Sequence, residues 1–125
     1  MISWINRLCF GGFIPSSATI GKSVVIGYWG VGVVIHKEAV IGDGCHIGQN
    51  VTIGRNPGQQ GVPRIGKDVY LAAGAVISGP IEIGDGAVIG ANSVVLSDVP
   101  ANCLAAGAPA RVVREFTPDE RARFV

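Results

Sequence analysis

The chain has 125 residues, the length of one domain, with 48% hydrophobic and 15% charged residues and a net charge of +1. So balanced a charge gives no electrostatic case for nucleic acid or an anionic membrane surface, and no apolar run approaches the roughly 20 residues of a membrane span. Three cysteines, odd in number and not closely paired, point to free thiols in a reducing compartment and so to a cytoplasmic protein.

Residues 1–17 read as a leader. The stretch from Met1 to Gly12 lacks the charged lead and cleavage site of a signal peptide. Trp4, Ile5, Leu8 and Cys9 fall on one helical face, which predicts a short helix ended by Gly11 and Gly12.

Residues 18–113 carry a six-residue repeat. Aliphatic residues recur at Ile20 and Ile26, at Ile35, Ile41, Ile47 and Ile53, and at Ile65, Leu71, Ile77, Ile83, Ile89 and Val95, usually with glycine next. A period of six is neither the 3.6 of a helix nor the plain alternation of a strand. It describes short strands joined by regular corners, an all-β solenoid. Two residues before the aliphatics stand Ala39, Cys45, Val51, Val69, Ala75, Ile81, Ala87 and Ser93, which share their inward face. Three residues after them stand Gly44, Asn50, Gly74, Gly86, Asn92 and Asp98, types that tolerate the positive φ of a tight corner. Cys45 is then a small core residue.

The repeat is interrupted twice. Gly27 to Gly32 adds three residues between Ile26 and Ile35. The stretch 55–64 separates Ile53 from Ile65 by twelve residues, and Gln59 cannot serve as an inward aliphatic, so this reads as one repeat plus a six-residue extruded loop. Loops that project from a rigid repeat are where function tends to sit. Val34, Val40, Val76, Val88 and Val94 are apolar at outward positions and predict a homo-oligomer. In the tail, 114–125, Thr117 reads as a helix N-cap, Pro118 as the first helical residue and Glu120 as the closing member of a capping box.

Two histidines can serve as bases. His36 follows the first interruption and stands where most repeats place glycine, and such broken local rules concentrate at functional sites. The competing reading is an exposed corner residue. His46 faces outward, one turn from Tyr70 once the loop is extruded, where a structural hydrogen bond competes with catalysis. Tyr28 and Trp29 offer either a stacking surface for a sugar acceptor or packing between subunits.

The repeat, together with Ala106-Gly107-Ala108-Pro109-Ala110-Arg111-Val112-Val113 after it, resembles the hexapeptide-repeat acyltransferases. That resemblance implies a left-handed parallel β-helix, a homotrimer with interfacial active sites, and acetyl-CoA as co-substrate with no metal. The stretch from Gly30 to Arg114 is most similar to the serine acetyltransferases and related sugar O-acetyltransferases, through Gly32-Val33-Val34-Ile35, Ala39-Val40-Ile41-Gly42, Val51-Thr52-Ile53-Gly54 and Gly90-Ala91-Asn92-Ser93-Val94-Val95. It implies CoA contacts at Gly54, Ala73, Ala91 and Arg111, the last meeting a phosphate; the alternative is that the small residues merely serve the corners. It also marks departures. The Asp-His pair of the serine enzymes falls on Tyr28-Trp29, their second His falls on Val62, and their large helical domain has no counterpart here. The expected activity is therefore O-acetyl transfer to a sugar hydroxyl of a surface glycan or polysaccharide precursor, with His36 as general base. The alternatives are a serine O-acetyltransferase and a non-catalytic β-helix scaffold. A zinc enzyme like the β-helical carbonic anhydrases needs three His ligands per metal, and this chain has two histidines in total.

Overall fold

The computed structural model describes residues 11–124. The helix expected around Trp4 to Cys9 lies outside them. Within them the sequence period becomes geometry directly. Strands of mostly two residues alternate among three sheets, so that each of the first nine pairs with the strand three places on. The first sheet holds β1 (Thr19–Ile20), β4 (Val40–Ile41), β7 (Arg64–Ile65) and β10 (Glu82–Ile83). The second holds β2 (Val25–Ile26), β5 (His46–Ile47), β8 (Tyr70–Leu71), β11 (Val88–Ile89), β13 (Cys103–Gly107) and β14 (Ala110–Glu115). The third holds β3 (Val34–Ile35), β6 (Thr52–Gly54), β9 (Val76–Ser78) and β12 (Val94–Val95). Pairing is parallel throughout except between β13 and β14.

Register shows where the extra residues go. Ile65 pairs with Ile83 and Ile77 with Val95, eighteen residues apart, or three repeats per turn. Ile41 pairs with Ile65, twenty-four apart, so six residues leave the coil between β6 and β7. Ile20 pairs with Ile41, twenty-one apart, which places the three-residue insertion between β2 and β3. Both interruptions are as the repeat predicts, except that Arg64 belongs to β7 rather than to the loop.

The inward positions form one continuous core. Ile35, Val51, Ile53, Ala75, Ile77, Ala87 and Ile89 are fully excluded from solvent, and Ile41, Ile47, Leu71 and Val95 nearly so. Each large aliphatic buried this way contributes about 1.5–3 kcal/mol. A single turn cannot cover its own inward face, and stacking turns does.

Three expectations are corrected at the ends. Phe13 bridges Val34 in parallel, so the coil begins before residue 18. At the other end parallel pairing stops with β13, and β14 turns back antiparallel after the cis Ala108–Pro109 bond, so residues 110–113 are a return strand. Val88, expected on an exposed stripe, is only 3% exposed. The C-terminal segment folds over that face: Arg121 Nε donates to the Gly86 carbonyl at 2.6 Å and its Nη2 to the Asp68 carbonyl, and the Phe124 ring meets the Tyr70 ring edge-on at 5.7 Å between centroids.

The segment ends in α1 (Pro118–Ala122), capped as the sequence predicts. The Glu120 N–H donates to Thr117 Oγ1 at 3.3 Å, and the Thr117 N–H to Glu120 Oε2 at 3.1 Å. The Thr117 N–H and the Arg114 guanidinium together hold the Glu120 carboxyl below its usual range.

Glycine is sterically required at some corners and not at others. A Cβ placed on Gly42 would stand 2.5 Å from the Gly66 carbonyl oxygen, whereas one on Gly54 meets nothing within 4 Å. Gly42→Ala is expected to cost about 1–3 kcal/mol and to lower Tm by on the order of 5–10 °C. Gly54→Ala should leave Tm unchanged; thermal melts of the two variants check the contrast.

Candidate functional site

The prism has three edges, and they differ. From the first sheet to the second, the residues after the aliphatics are Gly21, Gly42, Gly66 and Gly84. From the third to the first they are His36, Gly54, Ser78 and Leu96. From the second to the third they are Gly27, Gly48, Ala72 and Gly90, so the preference for glycine belongs to the two edges other than that of His36, and His36 breaks no steric rule where it stands. Its significance comes from its surroundings. Gly54 stacks directly above it, through the pairing of Ile35 with Ile53.

His36 is half-buried at a largely apolar groove of about 460 Å³, lined also by Phe13, Pro15, Lys37, Thr52 and Gly54. Its Nδ1 accepts the Glu38 N–H at 3.1 Å. With Nδ1 so occupied, the neutral ring carries its proton on Nε2. Beside the groove, Glu38, Arg55, Gln60, Gly61 and Val62 line a more polar cavity of about 290 Å³ at the base of the extruded loop. His36–Glu38 and Gly54–Arg55 join the two cavities along one edge.

The remaining predicted residues lie across the third sheet, on the edge that leads into it from the second. Tyr28 and Trp29 occupy the three-residue insertion in left-handed backbone, with φ of 50° and 60°. They are 73% and 81% exposed. Non-glycine residues in this region cost roughly 1–2 kcal/mol each. Tyr28 lines a further cavity of about 290 Å³ with His46, Gln49, Tyr70 and Ala73. Ala91 is exposed one turn beyond Ala73, whose carbonyl accepts the Asn92 N–H at 2.9 Å. Arg111 is exposed on β14 opposite Ala106, at the top of the same edge.

Within one chain the predicted residues therefore form two groups. His36 and Gly54 share one edge; Tyr28, Trp29, Ala73, Ala91 and Arg111 share another. The hydrogen bond expected at His46 is replaced by a stack: its ring lies 5.9 Å from that of Tyr70, with 22° between the planes. Phe13 and Pro15 line the groove although they precede residue 18, where the sequence pattern sets the start of the repeat. Ile14, six residues before Ile20, extends the aliphatic series to them.

Among the described residues no group of three His, Cys, Asp or Glu is placed to hold a metal, and no helix is long and apolar enough to cross a membrane. Cys45 is fully buried and its Sγ donates to the Gly66 carbonyl at 3.0 Å. Burial pushes its thiol up, away from the thiolate form a nucleophile needs.

Comparison with known proteins agrees with the geometry. Residues 63–97 match the family of bacterial transferase hexapeptides (six repeats), and residues 38–78 match the hexapeptide repeat of succinyl-transferase. A serine acetyltransferase of Synechococcus elongatus is 42% identical over 115 residues, which make up 90% of this chain and 47% of that protein. The structure of a soybean serine acetyltransferase complexed with serine aligns with a TM-score of 0.82 at 42% identity, over 89% of this chain and 46% of that one. A Brucella abortus serine acetyltransferase in complex with coenzyme A aligns with a TM-score of 0.86 at 33% identity, over 92% and 46%. The chain spans about half the length of these relatives. Its coil is the left-handed parallel β-helix that the resemblance implied.

The buried thiol yields a direct check. In the folded protein at pH 8, Cys45 is expected to resist a soluble disulfide reagent and to react promptly once denatured. Peptide mapping by mass spectrometry reads the outcome, and fast labelling under native conditions would contradict the assigned burial.

Proposed function

Because the chain belongs to the hexapeptide-repeat acyltransferases and is similar to serine acetyltransferases, we propose that it moves an acetyl group from acetyl-CoA to the hydroxyl of a small acceptor. The observation that carries this reading is a single imidazole, His36, at an apolar groove beside bare main chain at Gly54. Transfer needs a water-poor cleft, a group to manage the acceptor's proton, and a donor for the developing oxyanion. The acceptor oxygen bonds to the thioester carbonyl carbon, the carbon–sulfur bond breaks, and the acceptor's proton passes to the released thiol.

His36 is the residue we place at the reacting atoms. In the tautomer held by the Glu38 N–H, its Nε2–H is ready to hydrogen-bond the carbonyl oxygen as charge builds there. To take the acceptor's proton at Nε2, the ring must first exchange the Glu38 bond and lodge its own proton on Nδ1. The general-base role assigned from the sequence is conditional on that exchange; the donor role is not.

Gly54, Ala73, Ala91 and Arg111 remain our candidates for CoA contact. They occupy two edges of one chain, and a homotrimer that apposes the edges of neighbouring protomers would unite them. Val34, 39% exposed on the outer face of the third sheet between those edges, supports an apolar subunit contact there. We place the protein in the cytoplasm, where the buried thiols of Cys45 and Cys103 would stay reduced.

For the acceptor, the names of the relatives favour L-serine over the sugar expected from the sequence. The sugar reading keeps one observation in its favour: two exposed aromatics, Tyr28 and Trp29, at the place where the resemblance puts the serine enzymes' Asp-His pair.

Thiol release from acetyl-CoA with L-serine as sole acceptor tests the reading. His36→Ala is expected to lower turnover by about a hundredfold or more while leaving the circular dichroism unchanged. His36→Asn, which preserves a donor but no titrating base, separates the two roles. If it recovers much of the loss, His36 acts as a donor; if it matches the alanine variant, His36 acts as the base. Full turnover in His36→Ala would remove the residue from the mechanism, and failure of the wild-type protein to bind CoA by calorimetry would favour a non-catalytic scaffold.

A further inference from the structure

The inward positions of the coil are apolar, with one exception. Two residues before the aliphatics of the third sheet stand Val33, Val51, Ala75 and Ser93, one in each turn. Ser93 is 1% exposed, and among the described residues it is the only buried side chain that carries a hydroxyl, an amide or a charge. A hydroxyl in such a place costs free energy unless it is hydrogen-bonded. Its Oγ accepts the Gly107 N–H at 3.2 Å.

That bond ties two elements together. On one side is the corner from Gly90 to Ser93, a turn in which the Ser93 N–H donates to the Gly90 carbonyl at 3.4 Å and Ala91 is exposed. On the other is the end of β13, where the chain reverses into β14 with Gly107 opposite Ala110 and Ala106 opposite Arg111. Parallel pairing with β11 ends at Ala105, whose carbonyl accepts the Gly90 N–H at 2.9 Å. The Ser93 hydroxyl is the next attachment, at the reversal itself. Gly107 has a φ of 104° and no side chain to fix it, so this bond sets the direction in which the reversal leaves the coil.

We propose that Ser93 is a positioning residue for acetyl-CoA: its buried hydroxyl fixes the β13–β14 reversal on the Ala91 corner and so sets the placement of Arg111 relative to Ala91. The role rests on the reading that places CoA at those two residues. Ser93 is buried and acts through the main chain of Gly107. Packing does not call for the hydroxyl, since Ala75 fills the same position one turn away. Nor does the fold need the bond to satisfy Gly107, which is exposed and whose N–H can bond water instead. What the bond supplies is a strand held in place before the ligand arrives, which saves the cost of ordering it on binding.

Acetyl-CoA binding by calorimetry and initial rates of thiol release with L-serine are measured for the wild-type chain, Ser93→Ala and Ser93→Thr. Ser93→Ala is expected to raise both Kd and KM for acetyl-CoA about fivefold and to leave kcat within about twofold. Ser93→Thr keeps the hydroxyl in the shape of the Val at positions 33 and 51, and it should restore both constants. A fold that is merely looser would lower the active fraction, and so kcat, with KM unmoved. Hydrogen exchange of the Gly107 amide, read by NMR on the same samples, is expected to quicken in Ser93→Ala and to slow again in Ser93→Thr. Unchanged Kd in Ser93→Ala, a loss confined to kcat, or unaltered exchange at Gly107 would each overturn the proposal and leave acetyl transfer standing. Failure of the wild-type protein to bind acetyl-CoA overturns the underlying reading, and the positioning role with it.

Discussion

Every other feature of this molecule depends on the stacking of buried aliphatics down the axis of the coil. Ile41, Ile65 and Ile83 stand in register in one sheet, Ile47, Leu71 and Ile89 in the second, and Ile35, Ile53, Ile77 and Val95 in the third. Strands of two residues have almost no stability alone. They persist because each aliphatic is covered above and below by its counterpart in the next turn, as in other repeat architectures. The same stacking presses the corners together until a carbonyl of one turn occupies the space a side chain would need in another, as Gly66 does over Gly42.

That pressure is not evenly shared, and its distribution decides where chemistry can sit. The edge from the first sheet to the second carries four glycines and no insertion. The three-residue insertion lies on the edge from the second sheet to the third, and the six-residue loop on the edge from the third to the first. Each edge with an insertion has one of the two imidazoles beside a cavity: His46 with Tyr28 and Tyr70, His36 with Gly54 and Thr52. A continuous core thus supports two cavities without a break in its own packing.

Much of this was legible in the sequence because the core is periodic. The spacing from Ile53 to Ile65, with Gln59 unfit for the interior, placed the extruded loop, and Thr117-Pro118-Asp119-Glu120 placed a cap whose two hydrogen bonds are formed. What the period could not convey is which edge a residue occupies. One six-residue unit looks like another, and only counting by eighteen with the six-residue loop left out reveals that His36 stacks with Gly54, Ser78 and Leu96 rather than with the obligatory glycines. Nor does a repeat report what lies over it. Val88 follows the outward pattern and is buried, because a non-repeating tail crosses that face. The same limitation hid the division of the candidate site. Residues near in number, such as Trp29 and His36, stand on opposite borders of a sheet.

The two histidines also show how a local bond sets what a ring can do. His36 is held by a backbone N–H two residues on, a contact that follows from the tight corner and needs no partner side chain. That contact commits Nδ1 as an acceptor and leaves Nε2 to donate. His46 has a tyrosine against its face and no such commitment. A donor positioned by the backbone suits a carbonyl whose charge grows during reaction. A ring with both nitrogens available suits a hydroxyl, which gives one hydrogen bond and accepts another. Each ring lies beside its own cavity, on opposite borders of the third sheet.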